Sequence, residues 1–501
     1  MPQYKHYNYS QTVMIAVDLE KQLTPGSIEY VIHKLVEERV DIKSFEEKLK
    51  NDQTGRPAYD PKILLKIILL AYSRGIISSR KIEQACRENV TFMAISGTQY
   101  PDHSTIAGFV STMEDEVLPL FRDILLVCDQ LKLLGGTSFA LDGLKLPSNA
   151  SKHWSGTHSE LHQKKEKLEK KITVLIKKHK KLDKKGNKTE DKAQKSKEDK
   201  QLERLRKKAD KIEKWLNENN PKIGKQGKEV KSNITDNDSC KMSTSSGVIQ
   251  GYNSQALVDE KHQIIVHSES FGSGQDYSHV SPMIDGAKEN IKAVGKGEDY
   301  FQGKTFTADA NYHSTENLKK CEEEKIDAYI PDVDFRNRDK RFEGQEKYKT
   351  EKAARYELED FVYEKKKDRY ICPMGKILTR MSSKSLQKGY LQYTGKQKEC
   401  EVCESRSKCI RMPNGRKKCL TIPVKEKEIN LSKKMRDKID TKQGREKYER
   451  RLALVEPVFA NIRARKRMDR FTLRSKIKVN IQWTLFCAVH NLEKIANYAV
   501  I

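Results

Sequence analysis

Residues 161–217 are mostly Lys and Glu, yet Leu161, Leu168, Leu175 and Leu182 recur every seven residues. So much charge forbids a compact core there, whereas a seven-residue leucine seam demands a partner helix. Leu202, Leu205, Ala209, Ile212 and Leu216 repeat the pattern after a polar stretch around 183–198 that contains Gly186. Two seams with a breaker between them predict an antiparallel coiled-coil hairpin, and residues 151–244 read as a basic insertion into another domain. The tip, 184–200, also suits a solvated charge run; the two seams do not.

Strand patterns stand on both sides of this insertion. "TSFALDGLKL" (137–146) alternates as a strand does, and "GYNSQALVD" (251–259) with "HQIIVHSES" (262–270) reads as a hairpin turned at Glu260-Lys261. A helix (279–294), a strand (304–312), a helix (314–325) and a strand (326–332) follow. This order predicts a mixed α/β fold, a mixed sheet with helices packed on it. Before it, about 10–135 read as helical. "DPKILLKIILLAYSRG" (60–75) ends at Gly75, "SSRKIEQACREN" (78–89) forms a second helix, and 101–131 forms a third with Ser104 as N-cap. Three such helices suit a helix-turn-helix-like DNA-binding module over 1–135. The sheet segments, 136–150 and 245–335, read as the first parts of a catalytic core. Residues 336–440 form a basic Cys-rich insertion, and 441–501 supply the C-terminal helices that complete the core.

Charge indicates the partner. Lys plus Arg number 97 against 71 Asp plus Glu, a net +26, which favours a polyanion because neutralised phosphates release condensed counterions. MPQYKHYNYSQ lacks a secretory signal pattern, and no apolar run reaches the length of a membrane span. A soluble, cytoplasmic, nucleoid-associated protein is expected, with its ten cysteines serving metal or thiol chemistry rather than disulfides.

Three acids stand out. Asp142 and Asp309 fall at the ends of predicted strands, and Glu456 falls in the basic helical stretch 444–471. Magnesium prefers hard oxygen ligands. Two such ions held by carboxylates stabilise both the attacking and the leaving oxygen of a phosphoryl displacement. Each acid alone also has a plain structural use, strand-end Asp as a turn former and helical Glu as a surface residue. Lys145 stands near Asp142, and Arg450, Arg451 and Arg463 surround Glu456, so cations suited to phosphates accompany the acids.

At these residues the chain resembles a bacterial insertion-sequence transposase of the DDE class. The resemblance rests on "FALDGLK" (139–145), "GYNSQALVD" (251–259), "TADANYHS" (307–314) and "YERRLALVEPVFANIR" (448–463). It extends to "GRPAYDPKILLKIILLAYSRGIISSRKIEQAC" (55–86) and "PDHSTIAGF" (101–109), all in the family's order. It implies a ribonuclease H-like core with Asp142, Asp309 and Glu456 as catalytic, metal-holding acids. Tyr448, Arg451, Glu456 and Arg463 match the family's Tyr–Arg–Glu–Lys signature, with Arg in place of the Lys. It further implies Mg2+ (or Mn2+) as cofactor, and double-stranded DNA at transposon ends and target as substrate. Cleavage with strand transfer and a homodimer or larger synaptic assembly are implied as well. Lys145, Tyr448, Arg450, Arg451 and Arg463 are the expected DNA contacts. A repurposed DNA-binding protein and a metal-dependent nuclease without strand transfer are the alternatives.

Cys372, Cys400, Cys403 and Cys409 provide a second metal candidate. Cys400 and Cys403 form a CxxC half-site, and two further thiolates would complete a tetrahedral structural Zn2+ site; Cys419 is a substitute ligand. Cys86, Cys128, Cys321 and Cys487 lie on apolar faces and read as core residues.

Overall fold

In a computed structural model of the protein, the described residues are 16–48, 57–183, 189–224, 227–342, 356–381, 390–410, 414–423 and 426–499. They form two compact units. One comprises 1–304 with 451–501, the other 305–450.

The first unit is mixed α/β. Strand β1 (Ser138–Pro147) runs antiparallel to the long strand β3 (Gly247–Asp259) in a register that sets Asp142 opposite Ala256 and Gly143 opposite Gln255. On its other side β3 pairs with β2 (Cys240–Thr244) along its first half and β4 (Ile265–Phe271) along its second. Strand β2 carried no clear alternation and escaped the sequence reading.

The C-terminal helix Lys476–Tyr498 is the centre of this unit's core, with Val479, Ile481, Trp483, Leu485, Phe486, Val489 and Leu492 all buried. Its polar residues are not wasted. Asn491 donates to the Ile265 carbonyl and accepts from the Ile265 N–H, both at 2.9 Å, and Asn480 accepts from the Ser270 N–H at 2.7 Å. Backbone groups of β4 that an edge strand would leave unpaired are thereby satisfied. Tyr72, in the helix Pro61–Ser73, stacks on Phe486 with ring centroids 4.5 Å apart, which ties the N-terminal helices to the C-terminal one.

Those N-terminal helices match expectation over 60–89, including Gly75 at φ +69° after the Pro61–Ser73 helix. The single helix expected over 101–131 is two, His103–Ser111 and Val117–Gln130. The cap is Asp102 rather than Ser104, because its carboxylate accepts from the Ser104 and Thr105 N–H groups at 2.8 and 3.1 Å. The Lys-rich stretch forms two helices, His158–Asp183 and Thr189–Glu218, packed on each other. Leu161, Ile212 and Trp215 are buried there together with Ile234 beyond the second helix, and Leu168 and Leu216 pack on the cluster. The Leu182 side chain and the tip around Gly186 lie outside the described residues.

The second unit begins with β5 (Thr305–Thr307) and β6 (Asp327–Tyr329), which are parallel and joined through the helix Thr315–Glu323. It continues in a five-stranded antiparallel sheet, β7 (Val362–Glu364), β8 (Arg369–Ile371), β9 (Ile377–Arg380), β10 (Tyr390–Thr394) and β11 (Cys419–Pro423). This sheet was not anticipated. Its strands are only three to five residues long, too short to carry a clear apolar alternation.

Candidate active site

Asp142 is an interior residue of β1, not its end. Its surroundings are fixed by β3. The polar residues of "GYNSQALVD" are buried, and their groups find partners close by: Tyr252 donates to Asp236 at 2.7 Å, Asn253 to Asp276 at 2.6 Å, and Gln255 to Asn253 at 2.9 Å. Ser254 bonds Ser270 at 2.8 Å, and the Asp259 carboxylate accepts the Gly135 and Gly136 N–H groups at 2.9 and 2.7 Å. Burial nevertheless holds Asp259 above the usual carboxylate range, with those N–H groups opposing it. The motif therefore builds the strand against which Asp142 is held. Gly143 belongs to the same arrangement, since a Cβ there would come within 2.1 Å of Gln255 Nε2.

Arg451 Nη1 lies 2.8 Å from Asp142 Oδ2, with the Arg451 side chain only 7% exposed. Arg451 belongs to the helix Lys442–Ala460, which also bears Glu456, five residues and about 7.5 Å of helical rise further on. Glu456 is exposed on this helix. It stands well inside the helix, with Pro457 in the helical interior directly after it and a π-helical turn over Asn461–Arg465.

Pro457 has no N–H, so the carbonyl of Ala453 loses its helical partner. Gln263 replaces it, its Nε2 donating to Ala453 O at 3.1 Å. Gln263 sits in the β3–β4 turn at φ +60° and also accepts from Lys494 Nζ at 2.9 Å and, through its backbone carbonyl, from His490 Nε2 at 2.9 Å. Sequence reasoning missed Gln263. A proline inside a helical pattern signals that a carbonyl four residues earlier needs a donor, but it does not say which residue supplies one.

Beside this turn, Lys466 is fully buried and pairs with Glu493 and with Asn461 Oδ1 at 2.8 Å. Burial lowers the Lys466 ammonium to about 8 against the opposing pull of Glu493.

Asp309, in the second unit, follows β5 and caps the short turn Ala310–Tyr312, accepting from Asn311 N at 2.8 Å and Asn311 Nδ2 at 3.2 Å. It is thus a turn former whatever else it does, and Ala310-Asn311 supports that geometry. Tyr448 packs edge-on against Phe335 with centroids 5.3 Å apart, while Arg450 and Arg463 are exposed. Lys145 is half-buried, with Nζ 3.4 Å from the Ser243 carbonyl.

In the second unit Cys372, Cys400, Cys403 and Cys409 line one cavity of about 30 Å3. The Cys409 thiol is raised by burial, with Lys418 opposing and the three other thiols adding to the rise. Cys419 is exposed and lies outside that cavity, whereas Cys86, Cys128, Cys321 and Cys487 are buried as expected. Among the described residues, no group of three or more His, Cys, Asp or Glu side chains stands ready to hold a metal ion. No helix among them is long and apolar enough to cross a membrane.

Comparison with known proteins adds two matches. Residues 17–112 match the family model described as Transposase domain (DUF772), and residues 371–496 match the Transposase DDE domain. The second segment contains Glu456 and the four cysteines of the cavity, while Asp142 and Asp309 lie outside both. No curated protein matches the chain. The two matches, at the N-terminal helices and across the Glu456 helix, support an insertion-sequence DDE transposase, the family that the sequence motifs resemble.

Proposed function

We propose that the chain is a DNA transposase with a ribonuclease H-like core that binds the ends of an insertion sequence, cuts them and joins them to target DNA. The observation that carries this reading is the Asp142–Arg451 pair, which ties a strand-borne carboxylate to the helix bearing Glu456 within the DDE-domain match. Asp142, Asp309 and Glu456 offer hard oxygen donors, the ligand chemistry that Mg2+ or Mn2+ requires. Held by these carboxylates, such a metal would supply Lewis-acid stabilisation of the charge that develops on the phosphate and would lower the pKa of the attacking water.

The chain's own residues do the rest. Water attacks the phosphorus at the transposon end and the 3′ oxygen leaves; that 3′-hydroxyl then attacks a target phosphodiester in a second displacement. Arg451 balances the charge of Asp142 before DNA arrives, and Gln263 holds the helix that presents Glu456. Lys145, Tyr448, Arg450, Arg451 and Arg463 engage the DNA backbone, which sets position rather than sequence. The N-terminal helices read the terminal sequences, and two chains or more bring two ends together. Such a protein works in the bacterial cytoplasm, at the nucleoid.

The test is incubation of the purified chain with labelled element ends under Mg2+, Mn2+ or EDTA. Metal-dependent nicking followed by joined product supports the proposal. Binding with no cleavage favours a repurposed DNA-binding protein, and cleavage with no joined product favours a nuclease.

A further inference from the structure

The four cysteines that line the cavity of the second unit come from three separate pieces of chain, and each piece is shaped around its sulphur. Cys372 opens a tight turn: Gly375 N donates to Cys372 O at 2.8 Å, Cys372 N donates to Lys376 O at 2.8 Å, and Lys376 N points at Cys372 Sγ at 3.2 Å. Gly375 holds the turn at φ +72°. Cys400 lies in the short helix Gln397–Glu401, Cys403 comes just after its C-cap Val402, and Cys409 closes the next short helix, Arg406–Cys409. Gly395 leaves room for Cys400, since a Cβ there would stand 3.1 Å from its Sγ.

Cations tie the same pieces together. Arg406 donates to the Cys400 carbonyl at 3.2 Å and the Gly415 carbonyl at 2.7 Å, and Lys418 Nζ donates to the Cys409 carbonyl at 3.0 Å. The apolar support is thin. The buried cluster of this sheet consists of Phe361, Leu378, Tyr393 and Leu420, with Cys372 and Cys409 among the half-buried residues packed on it. A core of that size commonly needs a disulfide or a metal to stabilise it. All four cavity cysteines are unbridged.

We propose that Cys372, Cys400, Cys403 and Cys409 bind one structural Zn2+ as a tetrathiolate site that staples the β7–β11 sheet. Four soft thiolates select zinc over magnesium, and a closed tetrahedral set leaves no open position for catalysis. Binding releases the thiol protons to solvent and draws the sulphurs from the cavity wall to about 2.3 Å from the ion. This site is independent of the DNA chemistry, which falls to the carboxylates.

The test uses the full-length chain purified under reducing conditions, with metal content measured by mass spectrometry. About one zinc per chain is expected, released in step with thiol titration by a mercurial. Cys372→Ser and Cys403→Ser should each lower bound zinc at least twofold, while Cys419→Ser, outside the cavity, keeps it. If the serine variants do not fold, Co2+ exchanged into the unaltered chain still decides, because tetrahedral thiolate ligation gives strong sulphur-to-cobalt charge-transfer absorption. Less than about half an equivalent of zinc, iron in its place, or a Co2+ spectrum without thiolate bands would overturn the proposal.

Discussion

Arg451 Nη1 and Asp142 Oδ2 stand 2.8 Å apart, joining the middle of β1 to the helix that carries Glu456. Removing one partner of a mostly buried pair leaves the other charge poorly solvated, so Arg451→Ala should cost about 2 kcal/mol of unfolding free energy. Arg451→Lys, which keeps the charge and loses the planar fork, should cost less. Urea denaturation checks both. An unchanged midpoint for Arg451→Ala would show that the pair adds nothing to this unit.

The contact between Gln263 and the Ala453 carbonyl exists because Pro457 cannot make it. Gln263→Ala should therefore cost about 0.5–1 kcal/mol, the net worth of a hydrogen bond at an exposed carbonyl that water can reach. Pro457→Ala returns a helical N–H to Ala453, so the cost of Gln263→Ala should shrink in that background. A double-mutant cycle with strictly additive effects would refute the link. In the same variants, Gln263→Ala should slow DNA cleavage, since it shifts the helix that carries Glu456 together with Tyr448, Arg450 and Arg451.

Two buried histidines set an acid limit. Burial, with Arg122 nearby, lowers His267 to about 4, and burial, with Lys466 and Lys494 nearby, lowers His490 to about 3. Asn290 Nδ2 lies 3.1 Å from His267 Nδ1, and His490 is bonded as a neutral ring between Asn461 and the Gln263 carbonyl. Unfolded histidine takes up its proton near 6.5, whereas the folded rings resist until about 4 and about 3. Stability should thus be full above pH 6.5 and fall as the pH drops below it, by up to about 3 kcal/mol for His267 and about 5 kcal/mol for His490 at the acid end. His267→Gln should flatten the pH 4–6.5 slope of the urea midpoint. An unaltered slope would mean that His267 is not held neutral.

Much of this architecture was legible because periodicity reports burial. The leucine seams predicted two helices that pack on each other, and the alternation in "FALDGLK" and "GYNSQALVD" predicted β1 and β3. Position within an element was harder to read. Asp142 read as a strand end, yet Gly143 after it is still a strand residue, one that makes room for Gln255. Asp102 took the cap expected of Ser104, since the helix begins at His103, one residue before Ser104, and a carboxylate can accept two N–H groups at once. The β7–β11 sheet left little trace because its core is four residues deep in a basic, Tyr-rich stretch. Gln263 could not be found at all from sequence, because its partner carbonyl lies almost two hundred residues away.

The most direct test of the account is cleavage of a plasmid bearing the element's own ends, in Mg2+, by Asp142→Ala, Asp309→Ala and Glu456→Ala. Each should lose cleavage by about a thousandfold or more, because ligands of one catalytic unit fail together, while binding the ends within about threefold of the unaltered chain. Cleavage at the unaltered rate by any one of the three, with its protein folded, would contradict the assignment of that carboxylate to the reaction.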